Sequence, residues 1–167
     1  MWQHHGAKLV LAIAASYKLR IWGGDLVGAY LEPVFIKTPK GMEVEKGYCI
    51  QAVGNLYRFP PASQNSSIEF DKCVTEMGYI NTPWDLKLFY KWINGKPIFV
   101  IAHSDDFCWF GSKDVTHEWD ALIENFNVHK YKVTDCMDKE FVGIYKITHD
   151  DQFNYYMDQT RLITEIV

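Results

Sequence analysis

Two short apolar runs flank a polar centre in the middle of the chain, and they define its most informative stretch. Residues 98–102 (Ile-Phe-Val-Ile-Ala) and 107–111 (Phe-Cys-Trp-Phe-Gly) surround His103-Ser104-Asp105-Asp106. Because both runs are rich in β-branched and aromatic residues, they predict two antiparallel strands joined by a tight turn. A third strand, Leu86 to Trp92, precedes them, and Asn94-Gly95 is a strong hairpin-turn signal between that strand and the first run.

Three segments carry the spacing of helices. His4 to Tyr17 contains good helix formers and core fillers, and Val115 to Phe126 places four large apolar residues on one face. Ala62 to Met77 follows the stop Phe59-Pro60-Pro61, with Ser63 as a candidate cap. Gly78 is expected to end this second helix.

The remaining pattern predicts further short strands and one last helix. The strands are Leu19 to Asp25, Val34 to Ile36, Tyr48 to Val53, Val128 to Val133, Phe141 to Ile147 and Phe153 to Met157. Asp25 to Tyr30 and Pro39 to Gly41 read as turns, and Asp158 is a candidate N-cap for a helix running to Val167. This order of elements predicts an α+β fold with a mostly antiparallel sheet and packed helices.

Composition is that of a globular domain. The 167 residues are 48% apolar and 16% aromatic, which suits one domain with a substantial core. The longest apolar run, Leu9 to Ala15, is too short to span a bilayer, and no signal-peptide pattern follows Met1. The four cysteines are widely spaced and lack a CxxC pair, which is typical of reduced thiols. We therefore expect an intracellular protein, in the cytoplasm or nucleus, without a membrane span.

Charge is unevenly distributed along the chain. The net charge is −4, but residues 104–167 carry six Lys/Arg against thirteen Asp/Glu. Proteins that neutralise phosphates are usually basic over their contact face. If this chain handles nucleic acid, we expect it to use a metal site or basic parts that lie outside these residues.

The adjacent carboxylates of Asp105 and Asp106 are the candidate chemistry of the central stretch. One interpretation is a solvated hairpin tip, because Asp is a good turn residue. The other is a divalent-metal site, since Mg²⁺ takes oxygen ligands and often only one or two carboxylates together with phosphate oxygens.

Six sequence blocks, in order, resemble the reverse transcriptase domain of copia-type LTR retrotransposons. The resemblance runs from about Ala7 to the end of the chain. The blocks are Leu11–Ala15 with Asp25–Leu31, Val34–Lys37 with Pro39–Met42, Leu56-Tyr57 with Ala62, Asp85 with Leu88-Phe89, His103–Asp106, and Phe141–Ile144. The fourth precedes the family's catalytic hairpin, the fifth falls at its tyrosine-x-Asp-Asp box, and the sixth falls at its primer-grip strand.

This resemblance implies a polymerase palm with an Asp-Asp β-hairpin at its centre and RNA-directed DNA polymerase activity. It implies that Asp25, Asp105 and Asp106 are catalytic and hold two Mg²⁺ (or Mn²⁺) ions. The implied nucleotide-binding residues are Leu26, through its carbonyl, Gly28, Ala29 and Tyr30, with Tyr30 as a steric gate. The implied primer- and template-side residues are His103, Ser104, Ala62 and Gly143. The implied partners are a template–primer, a deoxynucleotide, and either further polyprotein domains or a host assembly.

The sequence also departs from the family pattern. His103 replaces the family's tyrosine. In Arg58 to Gln64, the positions at which the template-side block has lysine, glutamine and arginine hold other residues. Residues 1–167 match a partial, palm-like domain, without the family's fingers segment and ribonuclease H. An alternative function is therefore a catalytically inactive, element-derived subunit of a larger assembly, and an unrelated α+β binding domain is a third. On the polymerase interpretation, Asp25 should lie at the end of a strand beside the 98–111 hairpin.

Overall fold

Three helices and ten strands make up the parts of the chain that the computed structural model describes. These parts are residues 4–27, 34–45, 47–52, 60–103, 106–129, 131–135, 146–158, 160 and 164. The helices are α1 (His4–Tyr17), α2 (Pro60–Glu76) and α3 (Thr116–Val128), the last preceded by a 3-10 turn at Lys113–Val115. The strands are β1 (Arg20–Val27), β2 (Val34–Ile36), β3 (Ile50–Ala52), β4 (Ile80–Asn81), β5 (Leu88–Ile93), β6 (Lys96–His103), β7 (Asp106–Gly111), β8 (Lys132–Asp135), β9 (Lys146–His149) and β10 (Tyr155–Asp158).

A six-stranded sheet in the order β4-β5-β6-β7-β1-β8 forms the centre of the fold. Every strand pair that the described residues form is antiparallel, so the predicted α+β class with a mostly antiparallel sheet is confirmed. Asn94 and Gly95 both have positive φ, 51° and 74°, as the predicted turn between β5 and β6 requires. The predicted pairing of 98–102 with 107–111 is also found, with His103 opposite Asp106.

Helices α2 and α3 cover one face of this sheet. Alternate residues of β6 and β7, such as Val100 and Trp109, point to that face and are fully buried. Phe70 of α2 and Phe126 of α3 meet them, with their own ring centroids 5.3 Å apart. The apolar face predicted for Val115 to Phe126 is therefore the surface by which α3 packs against the sheet.

Helix α1 and the β9–β10 hairpin cover the opposite face. Val10 and Ala14 of α1 are buried there against Ile101 and Phe110 of the sheet. Ile147 belongs to the same cluster, and the Tyr155 hydroxyl donates a hydrogen bond to the Leu19 carbonyl. Both faces of the sheet are thus covered, which explains why β6 reads as a continuous apolar run.

The helix boundaries agree with the sequence at α1 and differ from it by one or two residues at the ends of α2 and α3. The predicted bounds of α1 are confirmed, and Gly78, with φ 82°, donates its N–H to the Thr75 carbonyl just after α2 ends. Helix α2 begins at Pro60 rather than at Ala62, because proline is well tolerated in a first helical turn, where its missing N–H has no intrahelical acceptor. Ser63 consequently lies inside the helix, and its prediction as a cap is wrong.

Several strand boundaries also differ from the prediction. Strand β1 continues to Val27, so the turn predicted from Asp25 onward is wrong as far as Val27, and residues 28–30 lie outside the described residues. Val128 ends α3 instead of opening a strand, and β8 begins at Lys132. The described part of the Phe141 to Ile147 strand begins at Lys146.

The end of the chain partly matches the predicted helix. Asp158 is the last residue of β10, and its carboxylate accepts a hydrogen bond from the Thr160 N–H at 2.8 Å, as a helix N-cap does. Thr160 and Thr164 have helical backbone, and the residues around them lie outside the described part of the chain. In the described parts, none of the helices has the length and apolar character needed to cross a bilayer.

Candidate active site

Asp25 and Asp106 lie directly opposite each other on neighbouring antiparallel strands. The register of β1 and β7 pairs Arg20 with Gly111 and continues without interruption to Asp25 and Asp106. Directly opposed residues in an antiparallel pair project to the same face, with Cβ atoms roughly 5 Å apart. Asp25 therefore lies beside the 98–111 hairpin, as predicted, but inside β1, two residues before the strand end at which it was expected. Its side chain shares a face with that of Asp106.

Two further polar residues extend this pair into a row across four strands. His103 of β6 lies opposite Asp106, and Thr134 of β8 lies opposite Asp25. All four side chains are half-buried. The order across the sheet is His103, Asp106, Asp25, Thr134, and we call this set the polar row.

Strand alternation shows which face carries the polar row. On β1, Asp25 and Ile21 are an even number of residues apart and therefore project to the same face of the sheet, where Ile21 packs with α1. Leu26 projects to the other face and is buried on the side of α2 and α3. On β7, Asp106 likewise projects to the same face as Cys108 and Phe110, which is the face that α1 covers. The row therefore lies on the α1 and β9–β10 face, at the end of the sheet where β6 ends and β7 begins.

Gly24 and Phe107 fix the backbone next to both carboxylates. They are cross-strand partners, and each is the chain neighbour of one aspartate of the row. A Cβ placed on Gly24 would lie 2.5 Å from Phe107 Cζ, so the aromatic ring occupies the space above the glycine. Gly24 thus permits a close approach of the Phe107 ring within the sheet.

The donor set of the row fits a hard divalent cation in part. Two like charges directly opposite each other on a sheet are destabilising, and a bound cation offsets that repulsion. Two carboxylates with water and phosphate oxygens are a common Mg²⁺ environment. Among the residues described, however, no group of three or more His, Cys, Asp or Glu side chains is arranged to hold one ion. Asp105, the third predicted carboxylate, lies outside the described residues.

The other predicted site residues are distributed as follows. The Leu26 side chain is buried on the opposite face, so only its main chain could serve the site as the family resemblance implies. Ala62 lies in the first turn of α2, a helix that packs on the same opposite face. Gly28, Ala29, Tyr30, Ser104 and Gly143 lie outside the described residues.

Thr134 is the member of the row that sequence reasoning missed. The predicted strand stopped at Val133, one residue short of it. Its importance depends on β8 pairing with β1, and no local pattern in residues 128–135 specifies that partner. The available signal in the sequence is that Thr134 is a polar residue directly after the apolar end of the predicted strand.

Comparison with models of known protein families, with curated proteins and with solved structures gives no match.

Proposed function

We propose that this chain is the palm of a copia-like reverse transcriptase, an RNA-directed DNA polymerase that uses metal-assisted nucleotidyl transfer. The observation that carries the proposal is the direct cross-strand opposition of Asp25 and Asp106 on one face of the sheet. In the sequence these aspartates belong to two separate blocks of the resemblance, and a shared metal site requires those blocks to meet. The antiparallel pairing of β6 with β7 beside them supports the same assignment.

In this proposal Asp25 and Asp106, together with Asp105, hold Mg²⁺ or Mn²⁺. The ions would lower the pKa of a primer 3′-hydroxyl and neutralise charge on the attacking and leaving oxygens. The chain's own contribution is rigidity, because Asp25 and Asp106 are mounted on paired strands. His103 flanks Asp106 and takes the primer side, in the place of the family's tyrosine.

The test is primer extension on an RNA template with Mg²⁺ or Mn²⁺. We expect incorporation that is reduced at least a hundredfold by Asp25→Asn and by Asp106→Asn. Asp151→Asn is the matched control, because Asp151 is an exposed carboxylate in the turn between β9 and β10. Equal activity in all three variants would remove the polar row from the chemistry.

A metal titration tests the site without requiring activity. Millimolar Mg²⁺ or Mn²⁺ should raise the melting temperature at pH 7–8 by mass action on the folded state. The gain should shrink towards pH 4–5, since protons compete with metal for carboxylates. It should be absent in an Asp25→Asn, Asp106→Asn double variant and preserved in Asp151→Asn. An equal response in the double variant would locate the bound metal elsewhere.

The second candidate function is that of a catalytically inactive subunit derived from such an element. The changed residues of the template-side block and the charge of −7 over residues 104–167 favour it, because both weaken contact with a phosphate backbone. This function predicts neither primer extension nor a metal response that depends on Asp25 and Asp106. It also predicts weak binding of the isolated chain to template–primer in moderate salt, which a fluorescence anisotropy titration measures.

A further inference from the structure

A cleft of about 520 Å³ lies between α1 and the β9–β10 hairpin. Its volume is in the range of sites that hold small organic molecules. The residues of the polar row do not line it. The cleft therefore raises a question that is separate from the proposed polymerase chemistry.

One wall of the cleft is a single stripe of α1. Lys8, Leu11, Ala12 and Ala15 line it, and their spacing of three, four and seven residues places them on one side of the helix. Leu11 is buried against the sheet, whereas the two alanines do not fill the space beside the hairpin. The hollow exists because this stripe continues after Lys8 and Leu11 with two small side chains, Ala12 and Ala15.

The other wall is the hairpin, which its own contacts hold in shape. Phe153 adopts a left-handed conformation with φ 63°, which is unusual for a bulky residue, and its ring stacks on His149 with centroids 5.2 Å apart. Asp150 accepts hydrogen bonds from the N–H groups of Gln152 and Asn154, each at 2.9 Å. Phe153 and Tyr155 therefore present aromatic surface to the cleft from a fixed turn.

The charge of the lining bears on the kind of molecule that would fit the cleft. Among the described residues, Lys8 is the one charged side chain that lines it, and Lys8 forms no ion pair with any of them. The Asn154 amide is a polar group on the opposite wall, although it also donates to the Asp150 carboxylate at 2.8 Å. The lining thus combines a predominantly apolar surface with a single cation at one place.

We propose that this cleft binds a small amphipathic organic anion. Its carboxylate contacts the Lys8 ammonium, and its apolar body lies on Ala12, Ala15 and the ring of Phe153. A cationic or uncharged molecule with the same apolar body lacks the charged contact and binds more weakly. This site does not use Asp25 or Asp106, so its failure and the failure of the polymerase proposal are independent.

The experiment is calorimetric titration of the full chain with three ten-carbon probes, namely decanoate, decanol and decylammonium. We expect decanoate to bind with a dissociation constant on the order of 0.1 mM and the other two at least tenfold more weakly. Lys8→Gln should weaken decanoate binding about tenfold, since it removes a charge-assisted hydrogen bond. Lys18→Gln, an exposed lysine just beyond the end of α1, is the matched control and should leave binding unchanged.

A second pair of variants tests the location of the apolar body. Ala12→Phe fills the cleft from an exposed position and should abolish decanoate binding, whereas Leu9→Phe, at an exposed position of α1 outside the lining, should not. Absence of decanoate binding at millimolar concentration would overturn the proposal. Equal binding of the three probes, or unchanged binding by Lys8→Gln, would do the same.

Discussion

Gly24→Ala is the substitution whose consequences follow most directly from the geometry of the site. A Cβ at this position would lie 2.5 Å from Phe107 Cζ, 2.6 Å from Phe107 Cε1 and 3.0 Å from Val133 Cγ1. Phe107 is only 1% exposed and is packed against Phe126 and Trp119, with ring centroids 5.4 and 5.7 Å away. Because the ring has no free space to enter, the clash must displace the backbone of β1 or β7.

The magnitude follows from two opposing terms. Overpacking a dense core costs about 1–3 kcal/mol. Replacing glycine by alanine returns about 0.4–1 kcal/mol by restricting the unfolded chain. We therefore expect a net loss of about 1–2 kcal/mol in the free energy of unfolding. For a chain of this length each kcal/mol corresponds to about 2–4 °C, so the melting temperature should fall by about 2–8 °C.

The assay is thermal and denaturant unfolding of Gly24→Ala, Phe107→Leu and the double variant. If the ring is the obstacle, Gly24→Ala should be less destabilising in the Phe107→Leu background, with a coupling energy of about 1 kcal/mol. Simple additivity of the two substitutions would refute the steric argument. The metal response should also weaken in Gly24→Ala, since Gly24 and Phe107 are the chain neighbours of Asp25 and Asp106.

Three further predictions concern other parts of the described structure. Tyr79→Phe removes the hydroxyl that accepts a hydrogen bond from the buried Trp109 Nε1–H, with nitrogen and oxygen 3.0 Å apart. It should lower the free energy of unfolding by about 1–3 kcal/mol, because the indole N–H is left without an acceptor. An unchanged free energy of unfolding would show that this hydrogen bond does not stabilise the fold. Glu118→Gln weakens the mostly buried ion pair with Lys91, in which nitrogen and oxygen are 2.8 Å apart. The free energy of unfolding measured with urea should fall by about 1–2 kcal/mol. This loss should depend less on salt concentration than the loss of a surface ion pair does. Hydrogen bonds from Asn154 in the hairpin turn lower the pKa of the Asp150 carboxyl from 3.8 to about 2. The stabilisation that this carboxylate provides is therefore present above about pH 4 and lost as the pH falls towards 2. Hydrogen-exchange rates of the turn should accordingly differ between the wild type and Asp150→Ala at neutral pH and become equal at low pH.

The local pattern determined most of the secondary structure. The uninterrupted helix-forming run of α1 fixed its bounds, and Asn94-Gly95 fixed a hairpin whose φ values only such residues adopt readily. The apolar runs on either side of residues 103–106 indicated two buried strands, because short runs rich in β-branched and aromatic residues favour strands. These signals are local, and each depends on a few neighbouring residues.

The sequence was less informative where a long-range contact decides the conformation. Asp25 to Tyr30 has the residue pattern of a turn, yet β1 continues to Val27 because it pairs with β7 on one side and with β8 on the other. Val128 is β-branched and favours a strand, yet it completes the last turn of α3. Propensity is a weak preference, and tertiary packing outweighed it at both places.

The candidate site divides in the same way between sequence and tertiary structure. The sequence placed His103 and Asp106 in a polar centre between two apolar runs and Asp25 at the end of a predicted strand, and the family resemblance suggested their chemistry. It contained no local information that β1 lies between β7 and β8, which sets Asp25 opposite Asp106 on one side and Thr134 on the other. Strand order in a sheet is fixed by burial over the whole fold, because each strand alone exposes equivalent hydrogen-bonding edges. The residue types were therefore readable from the sequence, and their convergence was decided only by the tertiary structure.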